Sequence, residues 1–232
     1  MTPPIGVICD LDGLLVDSEP LHFEAYRAVL KEYGIELTEP MFVKGWLNAS
    51  QTGTRYGMRY YLEKTGIHRE EDVQKARHRK SDIFIQIARG RLQWMPGAEH
   101  FLQRVQKLGI PCGIGTGVYR QEYEFMDREL GLRRYVQVII GGDDVSENKP
   151  SPMIFNAVAD HLKVPRQSCW VFENSTVGLE AAVNAGMRCI VVPSRMTSDA
   201  PFKEATQILS SLEPRAESEG APFPFLENPL AD

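Results

Sequence analysis

The stretch GVICDLDGLLVDSEPLHFEAY, residues 6–26, places two aspartates between a short apolar run and a helical pattern. The run at 5–9 is too short for a helix and rich in Val and Ile, so it predicts a buried strand. Asp10 and Asp12 follow it, two positions apart, and Gly13 comes next. A helix cap needs only one aspartate. The pair therefore indicates chemistry at the end of this strand.

Other short apolar runs alternate with helical patterns in the second half of the chain. This alternation predicts βαβ units and an α/β fold with a Rossmann-like parallel sheet core. The predicted strands are 5–9, 110–115, 136–140, 169–172 and 189–192, and the helices between the later ones are 98–108, 120–130, 153–162 and 176–185.

Between the first two predicted strands lie only helical segments, near 18–33, 39–46, 54–65 and 70–89. Gly34 and Gly66 stand where helix C-caps are expected. The block predicts an inserted α-helical cap domain at 17–92, with residues 1–16 and 93–212 forming the core. The tail at 213–232 is rich in Pro, Ala and acidic residues without periodicity, so we expect it to be mobile or loosely packed.

Composition limits the class of protein. The chain has 232 residues, 43% of them hydrophobic, and a net charge of −5. There is no basic stripe to bind nucleic acid, no apolar run of membrane-spanning length and no signal-peptide pattern at the start. The four cysteines lie in or beside strand-like runs without CxxC spacing, which favours buried thiols in a reducing compartment. We expect a soluble, cytoplasmic protein; the sequence does not predict its oligomeric state.

Polar residues follow each of the main predicted strands. In an open α/β sheet, ligands bind at the carboxyl ends of the strands, so these residues are expected to share one edge. Carboxylates, a hydroxyl and a lysine together suit a phosphoryl group held beside Mg²⁺. The residues are Asp10, Asp12, Gly13, Thr116, Gly117, Asp143, Asp144, Lys149, Glu173 and Asn174.

Four short motifs in this order resemble those of the haloacid dehalogenase superfamily. They are DLDG at 10–13, a threonine closing a strand at 116, KPSP at 149–152 and FENSTVGLEAA at 172–182. The resemblance covers about residues 5–212, and the helical block between the first two motifs is similar to the β-phosphoglucomutase-like phosphatase branch. It implies a Mg²⁺-dependent phosphomonoester hydrolase acting on a small phosphorylated metabolite, with a sugar phosphate favoured.

The resemblance also implies roles for the catalytic residues. Asp10 would be the nucleophile that forms an aspartyl-phosphate, and Asp12 the general acid and then base. Thr116 would donate its hydroxyl to the phosphoryl oxygens, and Lys149 would neutralise them and the nucleophile. The implied Mg²⁺ ligands are Asp10, the backbone carbonyl of Asp12, Glu173 and Asn174.

Some assignments have plainer alternatives. Thr116 could simply end its strand, and Lys149 could be a solvated loop lysine beside a helix capped by Ser151 with Pro152 at its first position. Asp143 and Asp144 are interpreted as a polar loop, although one could orient Lys149 or the metal.

Four residues are candidates for contacting the substrate. Gly13 and Gly117 fit places where backbone approaches a phosphate closely or turns tightly. His22 on the first cap helix and Lys80 on the last are candidate specificity residues, because in relatives these regions touch the leaving group. A surface histidine and a surface lysine are equally compatible with the sequence.

The sequence departs from the family pattern at two positions. The fourth motif usually ends in Glu-Asp, but here Asn174 brings no negative charge to a cation, which predicts weaker Mg²⁺ binding. Asn48 stands where the mutase relatives place an arginine for a second phosphate, which disfavours a mutase. Asp12 disfavours a dehalogenase, since that branch lacks this aspartate. A non-catalytic phosphometabolite-binding or regulatory protein, or a phosphosugar mutase, remains the alternative.

Overall fold

Parallel strands form one sheet at the centre of the fold. The computed structural model describes residues 4–47 and 57–214, together with Leu226. Six strands in these residues pair in parallel in the order β3-β2-β1-β4-β5-β6. The strands are β1 (Gly6–Cys9), β2 (Cys112–Gly115), β3 (Val138–Ile140), β4 (Cys169–Glu173), β5 (Arg188–Val191) and β6 (Gln207–Ile208).

One group of helices forms the inserted cap, and a second group flanks the sheet. The cap contains α1 (Glu19–Glu32), α2 (Glu39–Phe42), a π-helical turn (Val43–Leu47), α3 (Met58–Glu63) and α4 (Glu70–Ala88). The sheet is flanked by α5 (Ala98–Lys107), α6 (Arg120–Leu130), α7 (Met153–Leu162) and α8 (Thr176–Asn184). In the described part of the chain, no helix combines the length and apolarity needed to cross a bilayer.

The α/β fold with a parallel sheet and an inserted helical cap is confirmed. Predicted strands and core helices lie within two residues of the observed ones, and 120–130 and 153–162 coincide with α6 and α7. In the cap, the helix predicted at 39–46 divides into α2 and the π-helical turn, and α3 is shorter than the predicted 54–65, of which 54–56 lie outside the described residues. Strand β6 was not predicted, because it has only two residues and no apolar run.

The predicted cap at Ser151 is wrong. Helix α7 begins at Met153, and Pro152 is its N-cap residue with helical backbone angles, φ −71° and ψ −4°. The backbone N–H of Ser151 instead donates to the Asn148 carbonyl at 3.1 Å, closing a turn over residues 148–151, and the helix starts one residue later than expected. The loop that carries Lys149 is therefore held by Asn148.

The sheet is buried on both faces, as expected for a parallel sheet between helices. Along β1, Val7 and Cys9 join one hydrophobic cluster and Ile8 joins the other. The first cluster continues into the cap through α1 and α4, so the cap shares its apolar core with one face of the sheet. The four cysteines are buried and free, which agrees with the interpretation as buried thiols.

The chain leaves and re-enters the core at neighbouring points. Val16 forms an isolated antiparallel bridge with Trp94, and the Asp17 N–H donates to the Gln93 carbonyl at 2.9 Å. The domain division at 16/17 and 92/93 stays a prediction. Within the predicted tail, Leu226 is buried, which differs from a loosely packed tail at that residue. Positions 215–225 and 227–232 lie outside the described residues.

The apolar layer between α5 and the sheet leads to a stability prediction. Phe101 on α5 is fully buried, and its ring centroid lies 4.7 Å from that of Phe172 on β4. We expect Phe101→Ala to lower the free energy of unfolding by about 3–5 kcal/mol, because it leaves a cavity in the core. Urea denaturation measures this loss. Ile5→Ala is the control, since Ile5 is 58% exposed; a similar loss in both variants would contradict this packing.

Candidate active site

Lys149 joins the ends of the two central strands. Its Nζ lies 2.5 Å from Asp10 Oδ1 and 2.7 Å from Glu173 Oε1, and all three side chains are buried. Strands β1 and β4 pair with Cys9 opposite Phe172, so Asp10 and Glu173 follow at neighbouring positions. Lys149 reaches them from the loop after β3. The parallel register and this loop therefore assemble a carboxylate–ammonium–carboxylate group.

Burial and charge oppose each other in this group. Burial raises the pKa of Asp10 well above its usual value, and the nearby Glu173 and Asp12 charges add to the rise while Lys149 counteracts it. Burial would lower the pKa of Lys149, but the Asp10 and Glu173 charges raise it overall. Lys149 is thus a buried cation, not a solvated loop lysine.

Glu173 is fully engaged by hydrogen-bond donors and the lysine. Its Oε2 accepts from the Asn174 N–H at 2.7 Å, the Ser175 N–H at 2.8 Å and the Ser175 hydroxyl at 2.9 Å. A Cβ at Gly178 would overlap the Glu173 carboxylate, so the close approach of α8 requires glycine there. These contacts suit Glu173 as an anchor for Lys149. The role of Glu173 as a metal ligand, which the sequence resemblance implies, stays a prediction.

Asp12 is held from both the cap and the core. Its Oδ1 accepts from the Ser18 hydroxyl at 2.6 Å and contacts His22 Nε2 at 2.7 Å, while Oδ2 accepts from the Thr116 hydroxyl at 3.0 Å. Burial alone would raise the pKa of Asp12, but His22, the Ser18 hydrogen bond and Lys80 together lower it to about 2. Asp12 is therefore a carboxylate at neutral pH.

A buried chain of polar groups continues from Asp12 into the cap. Lys80 Nζ lies 2.7 Å from His22 Nδ1 and 2.6 Å from Glu122 Oε1. Because an ammonium can only donate, His22 accepts at Nδ1 and donates its Nε2–H to Asp12. The His22 ring also stacks on Phe84 at a centroid distance of 4.0 Å. The two candidate specificity residues are thus buried and linked to α6 of the core, not surface side chains.

The second motif lies against the loop that carries Lys149. Thr116 is fully buried, and the Gly117 carbonyl accepts from Asn148 Nδ2 at 2.8 Å. A Cβ at Gly117 would lie 3.3 Å from Asn148 Oδ1, so a larger residue would crowd this loop. The predicted contact of Thr116 and Gly117 with phosphate stays a prediction.

The acidic pair after β3 organises the start of α6. Asp143 Oδ1 accepts from the Arg120 N–H at 2.8 Å, and Asp144 Oδ2 accepts from the Tyr123 hydroxyl at 2.9 Å and the Gly141 N–H at 2.8 Å. These contacts support the interpretation as a polar loop.

Asn174 is paired with a glutamate from the first cap helix. Its Nδ2 donates to Glu19 Oε1 at 2.8 Å, and both residues are buried. Burial raises the pKa of Glu19 to about 7, although hydrogen bonds from Ser194 and Asn174 oppose the shift. Gly13 lies against this pair with φ +78°, and a Cβ there would overlap both Asn174 Nδ2 and the Glu19 carboxyl carbon. Gly13 is therefore required both by its backbone angle and by its neighbours.

The oxygen donors near the strand ends fit a hard divalent cation in chemical type. Asp10 offers a carboxylate, Asn174 an amide oxygen and Asp12 a backbone carbonyl, and Mg²⁺ prefers such ligands. Within the described ranges, no three His, Cys, Asp or Glu side chains are arranged to hold a metal. The assignment of Mg²⁺ ligands therefore stays a prediction.

Several residues that contact the site were not identified from the sequence. Ser18 and Glu19 lie in the DSEP segment at 17–20, three residues after the DLDG motif ends, and this short separation was an available signal. Glu122 stands on α6, and nothing in its local sequence points to Lys80, 42 positions away. Only the packing of α4 against α6 shows this contact.

The close approach at Gly13 leads to a second prediction. Gly13→Ala should destabilise the fold by more than Gly34→Ala, because both glycines have positive φ but Gly34 has nothing within 4 Å of its would-be Cβ. For Gly34→Ala we expect only the backbone cost, about 1–2 kcal/mol. Urea unfolding of both variants measures the difference. Equal losses would mean that Gly13 is not packed against Glu19 and Asn174.

The buried Lys80–Glu122 pair leads to a third prediction. Lys80→Met should cost about 3–5 kcal/mol of unfolding free energy, because Glu122 would keep a buried charge without its cationic partner. Adding Glu122→Gln should recover part of this loss. Lys75→Met, which removes an exposed lysine of the same helix paired with Glu71, is the control and should change stability little. Equilibrium unfolding of the four proteins checks this; no recovery in the double variant would contradict the pairing.

Comparison with known proteins identifies the family. The sequence model of the haloacid dehalogenase-like hydrolases matches residues 7–192. The phosphorylated carbohydrates phosphatase of Thermotoga maritima is 34% identical over 187 residues, covering 80% of this chain and 83% of that protein. The putative phosphatase YhcW of Bacillus subtilis is 30% identical over 212 residues, covering 89% and 91%.

A solved structure agrees with the fold. A CbbY mutant from Rhodobacter sphaeroides in complex with xylulose-(1,5)bisphosphate superposes with a TM-score of 0.77 at 25% identity, covering 90% of this chain and 95% of that one. The predicted family and the predicted class of enzyme, a phosphatase-type hydrolase, are confirmed by these relatives. The chain belongs to the haloacid dehalogenase-like hydrolase family.

Proposed function

We propose that this protein is a Mg²⁺-dependent phosphomonoester hydrolase that acts on a small phosphorylated metabolite through an aspartyl-phosphate on Asp10. The observation that carries the proposal is a pair of aspartates with different partners, of which Asp10 is buried and Asp12 is partly buried. Asp10 is bound by the Lys149 ammonium, whereas Asp12 is bound by Ser18, His22 and Thr116. Two carboxylates in different environments suit two different roles.

Asp10 is suited to be the nucleophile. Lys149 contacts Asp10 at Oδ1, so the attack is assigned to Oδ2. A bond forms between this oxygen and phosphorus, and the bond from phosphorus to the leaving alcohol oxygen breaks. Lys149 then offsets charge on both the carboxylate and the transferred group. A bound Mg²⁺, held by Asp10, the Asp12 carbonyl and Asn174, would neutralise phosphoryl oxygens.

Asp12 is suited to move protons in both steps. It would give a proton to the departing alcohol oxygen, and later take one from the water that releases phosphate from Asp10. In the described arrangement its pKa is about 2, so Asp12 is in the base form that the second step needs. The acid step requires a higher pKa. Loss of the His22 or Ser18 hydrogen bond when substrate enters would raise it.

The cap meets the core at Asp12. His22 comes from α1 and Thr116 from the end of β2, so one carboxylate joins both parts. A second contact runs from the Thr176 hydroxyl on α8 to the Leu47 carbonyl in the π-helical turn, at 3.3 Å. We infer that the cap shields the reacting phosphoryl group from bulk water during transfer to Asp10.

A sugar phosphate is the favoured substrate class. The support is the name of the Thermotoga maritima relative, which acts on phosphorylated carbohydrates, and the bisphosphate in the similar CbbY structure. The positive charge of Lys80 is already neutralised by Glu122. We therefore assign His22 and Lys80 to orienting Asp12 and to lining the part of the site that faces the leaving group. Asn48, which disfavours a mutase, lies outside the described residues.

The roles of the two aspartates can be separated by mutation. Asp10→Ala should abolish turnover, because no nucleophile remains. Asp12→Asn should lower the turnover rate by about 10²–10⁴-fold, which is the usual contribution of one positioned proton-transfer group. It should also slow hydrolysis of phosphoenzyme that has formed. Phosphate release from p-nitrophenyl phosphate and from a panel of sugar phosphates, at millimolar Mg²⁺, measures both losses.

Asp143→Asn is the matched control, since Asp143 is an exposed aspartate of the loop after β3. It should keep wild-type activity. Retained activity in Asp10→Ala would show that the nucleophile is assigned wrongly. If the wild type releases no phosphate from any phosphomonoester at saturating Mg²⁺, the non-catalytic alternative replaces this proposal.

A further inference from the structure

The ammonium of Lys80 is enclosed by three partners of different kinds. Its Nζ lies 2.6 Å from Glu122 Oε1, 2.7 Å from His22 Nδ1 and 4.5 Å from the centroid of the Tyr26 ring. An ammonium has three N–H donors, one for each of these partners, and a cation over an aromatic face is attracted to it. Lys80 is only 3% exposed, so it is held in one place by these neighbours.

Glu122 is itself fixed by the start of α6. Its Oε2 accepts from the Tyr119 N–H at 3.2 Å, while Oε1 accepts from Lys80. Glu122 is buried, so both of its oxygens have partners inside the protein. Tyr119 lies three residues after Thr116, whose hydroxyl donates to Asp12 Oδ2 at 3.0 Å. One short segment of the core therefore places both Glu122 and a donor to Asp12.

We propose that Glu122 is a positioning residue for proton transfer by Asp12, acting through Lys80 and His22. The inference rests on the proposed function, because it requires Asp12 to exchange protons with the leaving group and with water. It adds to that function a residue of α6 that acts only through other side chains.

The first step of the argument is the charge on Lys80. Burial alone would lower the pKa of Lys80, but the charge of Glu122 is the largest of the contributions that oppose this, and the pKa is raised overall. Lys80 is therefore an ammonium beside the Glu122 carboxylate. Without that charge, burial would favour the neutral amine, whose lone pair is able to accept a hydrogen bond.

The second step is the tautomer of His22. Because an ammonium only donates, His22 Nδ1 accepts and the ring proton is on Nε2, 2.7 Å from Asp12 Oδ1. In the other tautomer the Nε2 lone pair would face this oxygen, and two acceptors in contact repel each other. The hydrogen bond at one ring nitrogen thus decides what the other nitrogen presents. Glu122 and Lys80 together keep a donor against Asp12.

The third step is the orientation of the Asp12 carboxyl group. Oδ1 accepts from the His22 ring and the Ser18 hydroxyl, whereas Oδ2 accepts from the Thr116 hydroxyl. Oδ2 has fewer partners, so we assign the transferred proton to Oδ2. Because the His22 bond is retained, release of the Ser18 hydroxyl is the change that accompanies proton uptake by Asp12. Loss of the His22 donor would free the carboxyl group to turn, and proton transfer depends on such geometry.

The first measurement determines the tautomer directly. In ¹⁵N-labelled protein, the NMR signals of the two ring nitrogens show which one carries the proton, and His22→Gln identifies the His22 signals among the five histidines. Wild type should show the Nε2–H form at neutral pH. Glu122→Gln should show a mixture of tautomers, because the charge is lost and one amide oxygen cannot accept from both Lys80 and the Tyr119 N–H. This readout does not depend on turnover.

The second measurement separates positioning from folding through the leaving group. Phenolate is a poorer leaving group than p-nitrophenolate, so phenyl phosphate depends more strongly on a proton from Asp12. The ratio kcat/KM, measured at millimolar Mg²⁺, reports the steps up to phosphorylation of Asp10. In Glu122→Gln it should fall about tenfold or more with phenyl phosphate, a part of the 10²–10⁴-fold contribution of a proton-transfer group, and less than about threefold with p-nitrophenyl phosphate.

Three further variants complete the comparison. Glu124→Gln removes another glutamate of α6, which pairs with Arg133 at the surface, and should match wild type in both measurements. Glu122→Asp keeps the charge on a shorter side chain and should restore part of the rate with phenyl phosphate. The double variant Lys80→Met with Glu122→Gln leaves no ammonium at His22 Nδ1, so it should keep the rate loss although its folding free energy partly recovers. It provides both measurements if Glu122→Gln does not fold.

Two results would overturn the inference. One is an unchanged His22 tautomer in Glu122→Gln, or in the double variant where only that protein folds. The other is a loss with phenyl phosphate no larger than the loss with p-nitrophenyl phosphate, which would show that Glu122 only supports the fold. Either result, with an active wild type, leaves the proposed function intact. A wild type that releases no phosphate at saturating Mg²⁺ would overturn both proposals.

Discussion

The ammonium of Lys149 between Asp10 and Glu173 is the contact on which the site depends. The parallel register of β1 and β4 brings these two carboxylates together where little water can screen them. Desolvation of three charges is costly, and it is offset only while all three are present and hydrogen-bonded. The Ser175 bonds to Glu173 and the turn at 148–151 that contains Lys149 support this arrangement.

A chain of hydrogen-bonded polar groups links the cap to the core. From Asp12 the contacts pass through His22 and the Lys80 ammonium to Glu122 on α6. A change of cap position would separate groups that are buried now. His22 lies on the cap and lowers the Asp12 pKa, so the cap contributes to the protonation state of Asp12.

Sequence reasoning succeeded where a local pattern has one structural solution. Short Val- and Ile-rich runs became strands of the parallel sheet, and the ends of those strands brought Asp10, Lys149 and Glu173 together. It failed where the outcome depends on packing between distant segments. The pairing of Lys80 with Glu122 and of Glu19 with Asn174 requires the position of the cap on the core, which periodicity does not contain. The expected Ser151 cap failed for a local reason, because the Ser151 N–H closes a turn on the Asn148 carbonyl and α7 begins only at Met153.

A crystal structure of the protein with beryllium fluoride and Mg²⁺ would test the central claim most directly, since this complex mimics an aspartyl-phosphate. The account predicts beryllium bonded to a carboxylate oxygen of Asp10, with Lys149 Nζ still in contact with Asp10 and Glu173. Beryllium fluoride bonded to Asp12 instead, or Lys149 turned out of the site while Asp10 is modified, would contradict it.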